Sequence, residues 1–466
     1  MSSNINRERD ERNVKHNKYE IDMCNGTIMD KLISFSLPLM LSGILQLLFN
    51  AVDIVVVGRF SGSQALAAVG STTALINIFT NLFIGISLGA NVLAARFYAA
   101  GKSKEMSETV HTSVTVALIS GVLMGILGLM FARFSLELMG TPEDVISQSA
   151  LYMRIYFLGM PFFMLYNYGA AILRAVGDTR RPLFFLVVSG VINAVLNVIL
   201  VVYFHMDVAG VAIATVFSQF VSCVLVLRCL YMSEGSYQLR FSRLSVKKEY
   251  LKQIFQVGVP AGIQSTVINF SNALLQSSVN SFGSVAMAGY TAANNVFGFL
   301  YVSVNSITQA CMSFTSQNYG VRKWKRMDRV LVDCIILSVV CSLTLGCCAY
   351  FFGPEILQIY TREPDVIHAG MEIMTFATVP YFLCGLMDLF PGALRGMGHS
   401  VVPMILSIIG TVGTRILWIF GIFPSHRSLS VLFISYPVSW ILTILMQVCC
   451  FYFVRKKVHG QMRTCA

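Results

Sequence analysis

Long apolar runs, separated by short polar gaps, cover the chain from residue 32 to residue 453. Twelve of these runs are long enough to cross a lipid bilayer, which takes about 20 residues of α-helix. Because lipid offers no hydrogen-bond partner to an exposed peptide group, each run is predicted to be helical. The predicted spans are 32–57, 67–95, 109–131, 149–173, 183–203, 208–231, 253–280, 288–316, 329–352, 370–394, 401–423 and 429–453.

The composition agrees with this pattern. Of the 466 residues, 55% are hydrophobic and only 12% are charged, whereas soluble proteins have roughly 25% charged residues. Residues 1–31 differ from the rest, because they are polar and charged and lack the apolar core of a signal peptide. We therefore expect an uncleaved cytoplasmic tail at 1–31, followed by an all-α polytopic membrane protein.

The basic residues are distributed unevenly between the two sides of the predicted bundle. If the N-terminus is cytoplasmic, 28 of the 34 Lys and Arg residues fall in the tails and the even-numbered gaps, and only 4 fall in the gaps on the other side. This asymmetry follows the positive-inside rule and predicts that both termini are cytoplasmic. The net charge of +11 therefore reflects topology, and no nucleic-acid-binding motif accompanies it in the sequence.

The two halves of the chain repeat one another with an offset near 221 residues. "SLPLMLSGILQLLFNA" (36–51) aligns with "GVPAGIQSTVINFSNA" (258–273), and "LRAVGDTRRP" (173–182) aligns with "LRGMGHSVVP" (394–403). Each half holds six spans, so both halves have the same orientation, as two lobes of an alternating-access transporter would. We expect an N-lobe at 32–231, a basic linker at 232–252, a C-lobe at 253–454 and a cytoplasmic C-tail at 455–466.

Several separated motifs carry a family resemblance. They are "PLMLSGILQLLFNAVDIVVVGRFSGSQALAAVG", "LRAVGDTRRP", "INAVLNVILV" (192–201) and "GVAIATVFSQ" (210–219) in the first half, and "GALRGMGHSVVP" (392–403) in the second. Together they resemble the multidrug and toxic compound extrusion (MATE) transporters, in their bacterial branch, over roughly residues 30–455. The resemblance implies a V-shaped bundle of two six-helix lobes that exchanges drugs for protons or sodium ions.

One acidic residue, Asp53, lies inside the first predicted span. A charged side chain at mid-bilayer costs about 2.5–3.5 kcal/mol on insertion scales, and either protonation or a bound sodium ion would offset that cost. We therefore expect Asp53 to be the coupling residue. Polar side chains of spans 1, 4, 5 and 6 are expected to surround it, namely Gln46, Asn50, Asn167, Asn193, Asn197 and Thr215. The alternative is a buried Asp that serves packing specificity.

The resemblance supports this grouping of residues. The family's N-lobe cation site is built on an Asp of the first span and on Asn and Asp residues one turn apart on the fifth. Asp53 and Asn193 match that pattern, whereas Asn197 stands where many members have the second Asp. One carboxylate fewer weakens a sodium site and still permits protonation, so both coupling ions stay open.

The second half carries two charged residues at membrane depth, Asp388 and Arg415. They either pair with one another or contact substrate or cation. Weaker candidates for substrate contact are the polar residues at helical spacing on spans 7 and 8, namely Asn272, Gln276, Asn294, Tyr301 and Asn305. The sequence predicts no catalytic site, no cofactor and no metal site other than a sodium ion at Asp53.

These observations predict a non-enzymatic, H⁺- or Na⁺-coupled antiporter that exports small organic cations, as a monomer in the plasma membrane. A flippase for lipid-linked precursors, from the same superfamily, is the alternative. It would need a strongly basic central cavity for the phosphates of its cargo, and this chain offers Arg415 and Arg154 at membrane depth. A membrane-embedded enzyme would need acids or His converging at one membrane face, such as a DxxxD pair, and the sequence contains none at such a place.

Overall fold

Twelve helical spans make up the fold in the predicted order. The computed structural model describes residues 19–463, so residues 1–18 of the predicted N-tail and 464–466 of the predicted C-tail lie outside the described residues. The first six spans are Met29–Phe60 (span 1), Gly62–Ala99 (span 2), Ser103–Leu138 (span 3), Glu143–Leu158 with Met160–Ala175 (span 4), Arg180–Asn197 with Val198–Tyr203 (span 5) and Asp207–Met232 (span 6).

The second six spans repeat this arrangement. They are Lys248–Asn280 (span 7), Ser284–Gly320 (span 8), Trp324–Phe351 (span 9), Pro364–Ala377 with Tyr381–Gly396 (span 10), Val401–Ser425 (span 11) and Leu429–Arg463 (span 12). Eight of the described helices are long and apolar enough to cross a membrane, and the two-part spans 4 and 10 bring the number to 10. Spans 7 and 8, with 33 and 37 residues, are also long enough and carry more amide and hydroxyl side chains.

Two irregularities occur at equivalent places in both halves. Spans 4 and 10 are bent by 47° and 48°, next to Pro161 and Pro380, because proline removes a helical hydrogen bond. Spans 5 and 11 contain wider π-helical turns, at Val198–Tyr203 in the first and at Ile408–Gly413 and Trp418–Ile422 in the second. The two halves therefore share these helix irregularities as well as their sequence motifs.

The two lobes approach closely where glycines face each other. Span 2 packs along span 7, and a Cβ atom added to Gly85 would lie 2.3 Å from the Cα atom of Gly262. In the same seam, a Cβ atom added to Gly89 would lie 2.1 Å from the carbonyl oxygen of Ile254. Small residues let two membrane helices pack backbone to backbone, which is a main source of helix association in lipid.

Further contacts between the lobes lie toward one end of the bundle. We call this the basic end. It carries the gaps 100–102, 176–179, 321–323 and 397–400, and Lys or Arg residues lie in each of these gaps or in the helix ends beside it. Span 8 donates three hydrogen bonds to the N-lobe there: Ser313 Oγ to Asn91 Oδ1 at 3.0 Å, Ser316 Oγ to the Val92 carbonyl at 2.6 Å and Gln317 Nε2 to the Ala175 carbonyl at 2.7 Å.

Span 1 divides its contacts between the two lobes. Its first half, including Phe35 and Leu39, packs in one apolar cluster with Cys311 and Phe314 of span 8. Its second half, including Val57, packs in the core of the N-lobe. The middle of span 1 therefore crosses from one lobe to the other.

A short segment before span 1, residues 20–26, lies across the basic end, and we call it the strap. The Glu20 carboxylate accepts hydrogen bonds from the hydroxyls of Tyr98 (2.8 Å) and Tyr237 (2.6 Å), which belong to span 2 and to the linker. On the C-lobe side, spans 8 and 9 and the gap between them donate to the strap carbonyls: Asn318 and Arg326 to Met23, Lys323 to Cys24, and Arg326 again to Asn25 and Gly26. The strap thus contacts both lobes.

Candidate functional site

A buried polar network lies between spans 1, 5 and 6 of the N-lobe, and we call it the acid pocket. Its centre is Asp53, which is 9% exposed. Asn197 Nδ2 donates a hydrogen bond to Asp53 Oδ1 and a second one to Asn193 Oδ1 at 3.2 Å. Asn197 is fully buried, and it stands directly before the π-helical turn of span 5. The structure therefore brings the predicted acid and both predicted amides of span 5 together.

Span 6 completes the acid pocket. The Thr215 hydroxyl lies 3.5 Å from Asn193 Nδ2, and it is also within hydrogen-bonding reach of Asp53. It donates one turn back to the Val211 carbonyl at 3.0 Å, which fixes its rotamer. Four of the seven residues that the sequence suggests for this site, Asp53, Asn193, Asn197 and Thr215, are thus connected in one network.

The other three residues lie elsewhere. Asn167 donates to the Phe163 carbonyl of its own helix at 2.8 Å. Gln46 and Asn50 are exposed on span 1, although they have the helical spacing of Asp53. The reason is that span 1 crosses from the C-lobe cluster to the N-lobe core, which leaves its middle turns exposed.

Span 4 supplies two residues that the sequence reasoning missed. Tyr152 and Tyr156, whose rings lie 6.2 Å apart, are near enough to Asp53 to interact with its charge. The Tyr156 hydroxyl also meets Gln219 of span 6. Their spacing of one helical turn is a weak signal, because the chain holds 18 Tyr residues.

A second polar pocket lies in the C-lobe between spans 7, 11 and 12, and we call it the arginine pocket. Arg415 is 3% exposed, and its Nη1 donates to Asn272 Oδ1 at 2.8 Å. Its Nε lies 3.4 Å from the Ser439 hydroxyl. The guanidinium sits over the ring of Tyr436, 4.3 Å from the ring centroid. A cation is therefore enclosed here by an amide, a hydroxyl and an aromatic face.

The suggested pair of Asp388 with Arg415 is wrong for the part of the chain that the structure describes. The cation near Asp388 is Arg395, two turns further along the same helix, and Arg395 Nη2 donates to Gln264 at 2.6 Å. Tyr301 of span 8 also lies near Asp388. Arg415 bonds to span 7 and span 12 instead. The two charged residues therefore form no ion pair with one another, although Cys384 of span 10 lies near both.

The remaining candidates for substrate contact lie mostly on the surface. Gln276, Asn294 and Tyr301 are exposed, and Asn305 is partly buried. No group of three or more His, Cys, Asp or Glu side chains suitable for a metal ion occurs among residues 19–463.

The fold and the two pockets define a polytopic membrane protein of two repeated six-helix lobes. The MatE family model matches the chain twice, at residues 38–199 and 260–420, once in each lobe. The chain therefore belongs to the MatE family, the multidrug and toxic compound extrusion transporters.

Individual relatives agree with this assignment. The probable multidrug resistance protein YoeA of Bacillus subtilis is 30% identical over 434 residues, which cover 91% of this chain and 93% of that protein. The probable multidrug resistance protein NorM of Thermotoga maritima is 26% identical over 394 residues, with 84% of each chain covered. The family consists of multidrug efflux transporters, and this chain is similar to them over nearly its whole length.

Solved structures show the same fold. A multidrug resistance MATE family transporter in an outward-facing conformation superposes with a TM-score of 0.88 at 20% identity, over 96% of this chain and all of that one. A MATE transporter in complex with MaL6 superposes with a TM-score of 0.87 at 21% identity, over 95% of this chain and 98% of that one.

Proposed function

We propose that the protein is a cation-coupled antiporter that exports small organic cations across the plasma membrane, and that Asp53 is the residue that binds the coupling ion. The observation that carries this proposal is the buried hydrogen bond between Asn197 and Asp53, inside a network that Asn193 and Thr215 complete. An ionisable group held in membrane-buried polar surroundings is expensive, and it is characteristic of ion pathways. The alternative, an Asp that only fixes packing, would not need three polar residues around it.

The oxygen atoms of the pocket suit either coupling ion. Asn197 Oδ1 is buried and accepts no hydrogen bond from a described residue. With the Asp53 carboxylate and the Thr215 hydroxyl, it offers the oxygen ligands that a hard cation such as Na⁺ prefers. A proton on Asp53 would neutralise the same charge without further ligands. Asp53 accordingly carries one positive charge per cycle in both schemes.

The basic end is the cytoplasmic side in this proposal, since cytoplasmic loops are rich in Lys and Arg. The inter-lobe hydrogen bonds of span 8 and the strap then close the cytoplasmic side, which corresponds to an outward-facing state. The lobes at 32–231 and 253–454 are the two bodies that rock, with the Gly85–Gly262 contact near the middle of the seam. An ion in the acid pocket shifts the balance between the outward-facing and inward-facing states by its differential affinity for them.

The test is transport in proteoliposomes with the full chain. A fluorescent cationic dye is supplied, and either a pH gradient or a sodium gradient is imposed. The wild type should accumulate the dye under one of the two gradients, which identifies the coupling ion. Asp53→Asn should reduce gradient-driven transport to the level of empty vesicles, because the amide carries no charge to neutralise.

Asp207→Asn is the matched control. Asp207 is an exposed residue at the start of span 6, outside both pockets, so this variant should transport like the wild type. Gradient-driven transport by Asp53→Asn at the wild-type rate would remove Asp53 from the mechanism.

A further inference from the structure

The arginine pocket occupies the place in the C-lobe that the acid pocket occupies in the N-lobe. The repeat offset near 221 relates Tyr436 to Thr215, and it relates Arg415 to a residue next to Asn193. Spans 7, 11 and 12 therefore build the second pocket as spans 1, 5 and 6 build the first. The geometry is repeated, and the sign of the charge is reversed.

Arg415 is a permanent charge in that pocket. An arginine side chain keeps its proton under all conditions in proteins, and no described acidic side chain forms a salt bridge with Arg415. Its contacts are the neutral groups of Asn272, Ser439 and Tyr436. An ionisable group inside a membrane bundle is by default a functional candidate, and here the protein leaves its net charge uncompensated.

The backbone around Arg415 is also unusual. The residue lies in a short α-helical piece, Thr414–Leu417, between two π-helical turns. Such turns interrupt the regular helix and occur frequently at functional sites. In the N-lobe, the π-helical turn of span 5 follows directly after Asn197 of the acid pocket. Each lobe thus places its irregular backbone beside its buried polar group.

The pocket borders an exposed surface through span 7. Asn272 is only partly buried, and Asn269 and Gln276, one turn to either side, are exposed. The Asn272 amide therefore separates the guanidinium from that surface. Arg415 is about as enclosed as Asp53, with 3% and 9% of their surfaces exposed, so both pockets need the same small local opening to admit a ligand.

We propose that Arg415, Asn272 and Ser439 form a subsite for a carboxylate group of the transported compound. The planar guanidinium donates two parallel hydrogen bonds to a carboxylate, while Tyr436 fixes its plane from the other side. The inference rests on the proposed export function and adds the substrate class, namely organic compounds that bear a carboxylate. The protein then selects for an acid in one lobe while the other lobe binds the coupling cation.

The experiment compares two dyes that differ in one group, a rhodamine with a free carboxylate and its methyl ester. Transport by the full chain in proteoliposomes gives a half-saturation concentration for each dye. The wild type should have a lower half-saturation concentration for the acid than for the ester. Arg415→Gln should raise the ratio of the acid value to the ester value by about tenfold to hundredfold, the size of a charge-assisted hydrogen bond. Arg415→Lys keeps the positive charge but cannot donate two parallel hydrogen bonds. Its ratio should therefore lie between those of the wild type and Arg415→Gln.

Arg427→Gln, which removes an exposed Arg from the loop after span 11, is the control and should leave the ratio unchanged. Equal half-saturation concentrations for acid and ester in the wild type would overturn the proposal whether or not any variant folds. An equal rise for both dyes in Arg415→Gln would assign Arg415 a structural role and overturn it as well. Failure of the proposed antiporter function gives a different result, because neither gradient would then drive transport of either dye by the wild type.

Discussion

The acid pocket and the arginine pocket are equivalent places in two repeated lobes, and they differ in one chemical respect. The charge of Asp53 can be cancelled by a proton or a sodium ion, whereas the charge of Arg415 is permanent. The repeat relates Asp53 to Leu275, so the C-lobe has an apolar residue where the N-lobe has its acid. The two lobes therefore share the arrangement of helices around the pockets and differ in the sign of the charge that each pocket holds.

The largest expected effect comes from the residue pair Asn272 and Asn50, which the repeat relates. Asn272→Leu removes the 2.8 Å acceptor of Arg415, and because a guanidinium cannot neutralise itself, the loss should cost about 1.5–3 kcal/mol of stability. Asn50→Leu changes an exposed side chain and should stay within about 0.5 kcal/mol. Thermal unfolding of both variants in the same detergent measures the difference.

Equal shifts in the two melting temperatures would break the comparison. They would mean that the loss of stability on removing the amide depends on its position in the helix and not on the buried charge of Arg415. A normal melting temperature for Asn272→Leu would show that Arg415 finds another acceptor.

A smaller effect is expected from the amide beside Asp53. Asn197→Leu removes the hydrogen bond to the carboxylate, but Asp53 can still be neutralised by the coupling ion. We therefore expect the ion concentration for half-maximal transport to change by about tenfold, with little change in folding. Dye transport under graded pH or sodium gradients measures that concentration.

Asn167→Leu is the matched control for this variant, since Asn167 bonds to its own helix outside the acid pocket. It should transport like the wild type. A tenfold effect of Asn167→Leu as well would add Asn167 to the acid pocket, as the sequence alone suggests.

The sequence predicts the fold well because membrane helices are specified by local properties. Apolar length, proline positions and the distribution of Lys and Arg determine the spans, and the repeat divides them into two lobes. The central residues of the acid pocket could also be predicted, because an acid is rare in an apolar span and the two amides of span 5 have helical spacing. Tyr152 and Tyr156 could not be predicted, since aromatic residues occur on every face of a membrane helix.

The errors came from tertiary contacts that no local pattern encodes. Asp388 and Arg415 carry opposite charges on neighbouring predicted spans, yet their helices turn these side chains toward different partners. Gln46 and Asn50 share the helical face of Asp53, yet span 1 changes lobes between them and the acid. Which neighbour a helix face meets depends on the packing of the whole bundle.

The smallest predicted effect concerns how the two lobes hold the strap. The N-lobe side holds Glu20 through two tyrosine hydroxyls, whereas the C-lobe side binds several backbone carbonyls. Within the strap, burial raises the pKa of the Cys24 thiol to about 11, and the nearby Asp22 carboxylate adds to this rise. The thiolate is the reactive form, so the strap protects Cys24 from alkylation as long as it stays in place.

Tyr98→Phe should loosen the N-lobe side of the strap and speed alkylation of Cys24 about threefold to tenfold, as expected for one lost hydrogen bond. Asn318→Leu removes the 3.1 Å hydrogen bond to the Met23 carbonyl beside Cys24 without removing a charge near the thiol, and it should act at least as strongly. Mass spectrometry of the Cys24 peptide after timed alkylation measures the rates, and Tyr360→Phe, at an exposed residue between spans 9 and 10, is the control. If Tyr98→Phe left the rate unchanged while Asn318→Leu raised it, the strap would be held by the C-lobe alone and would not link the two lobes.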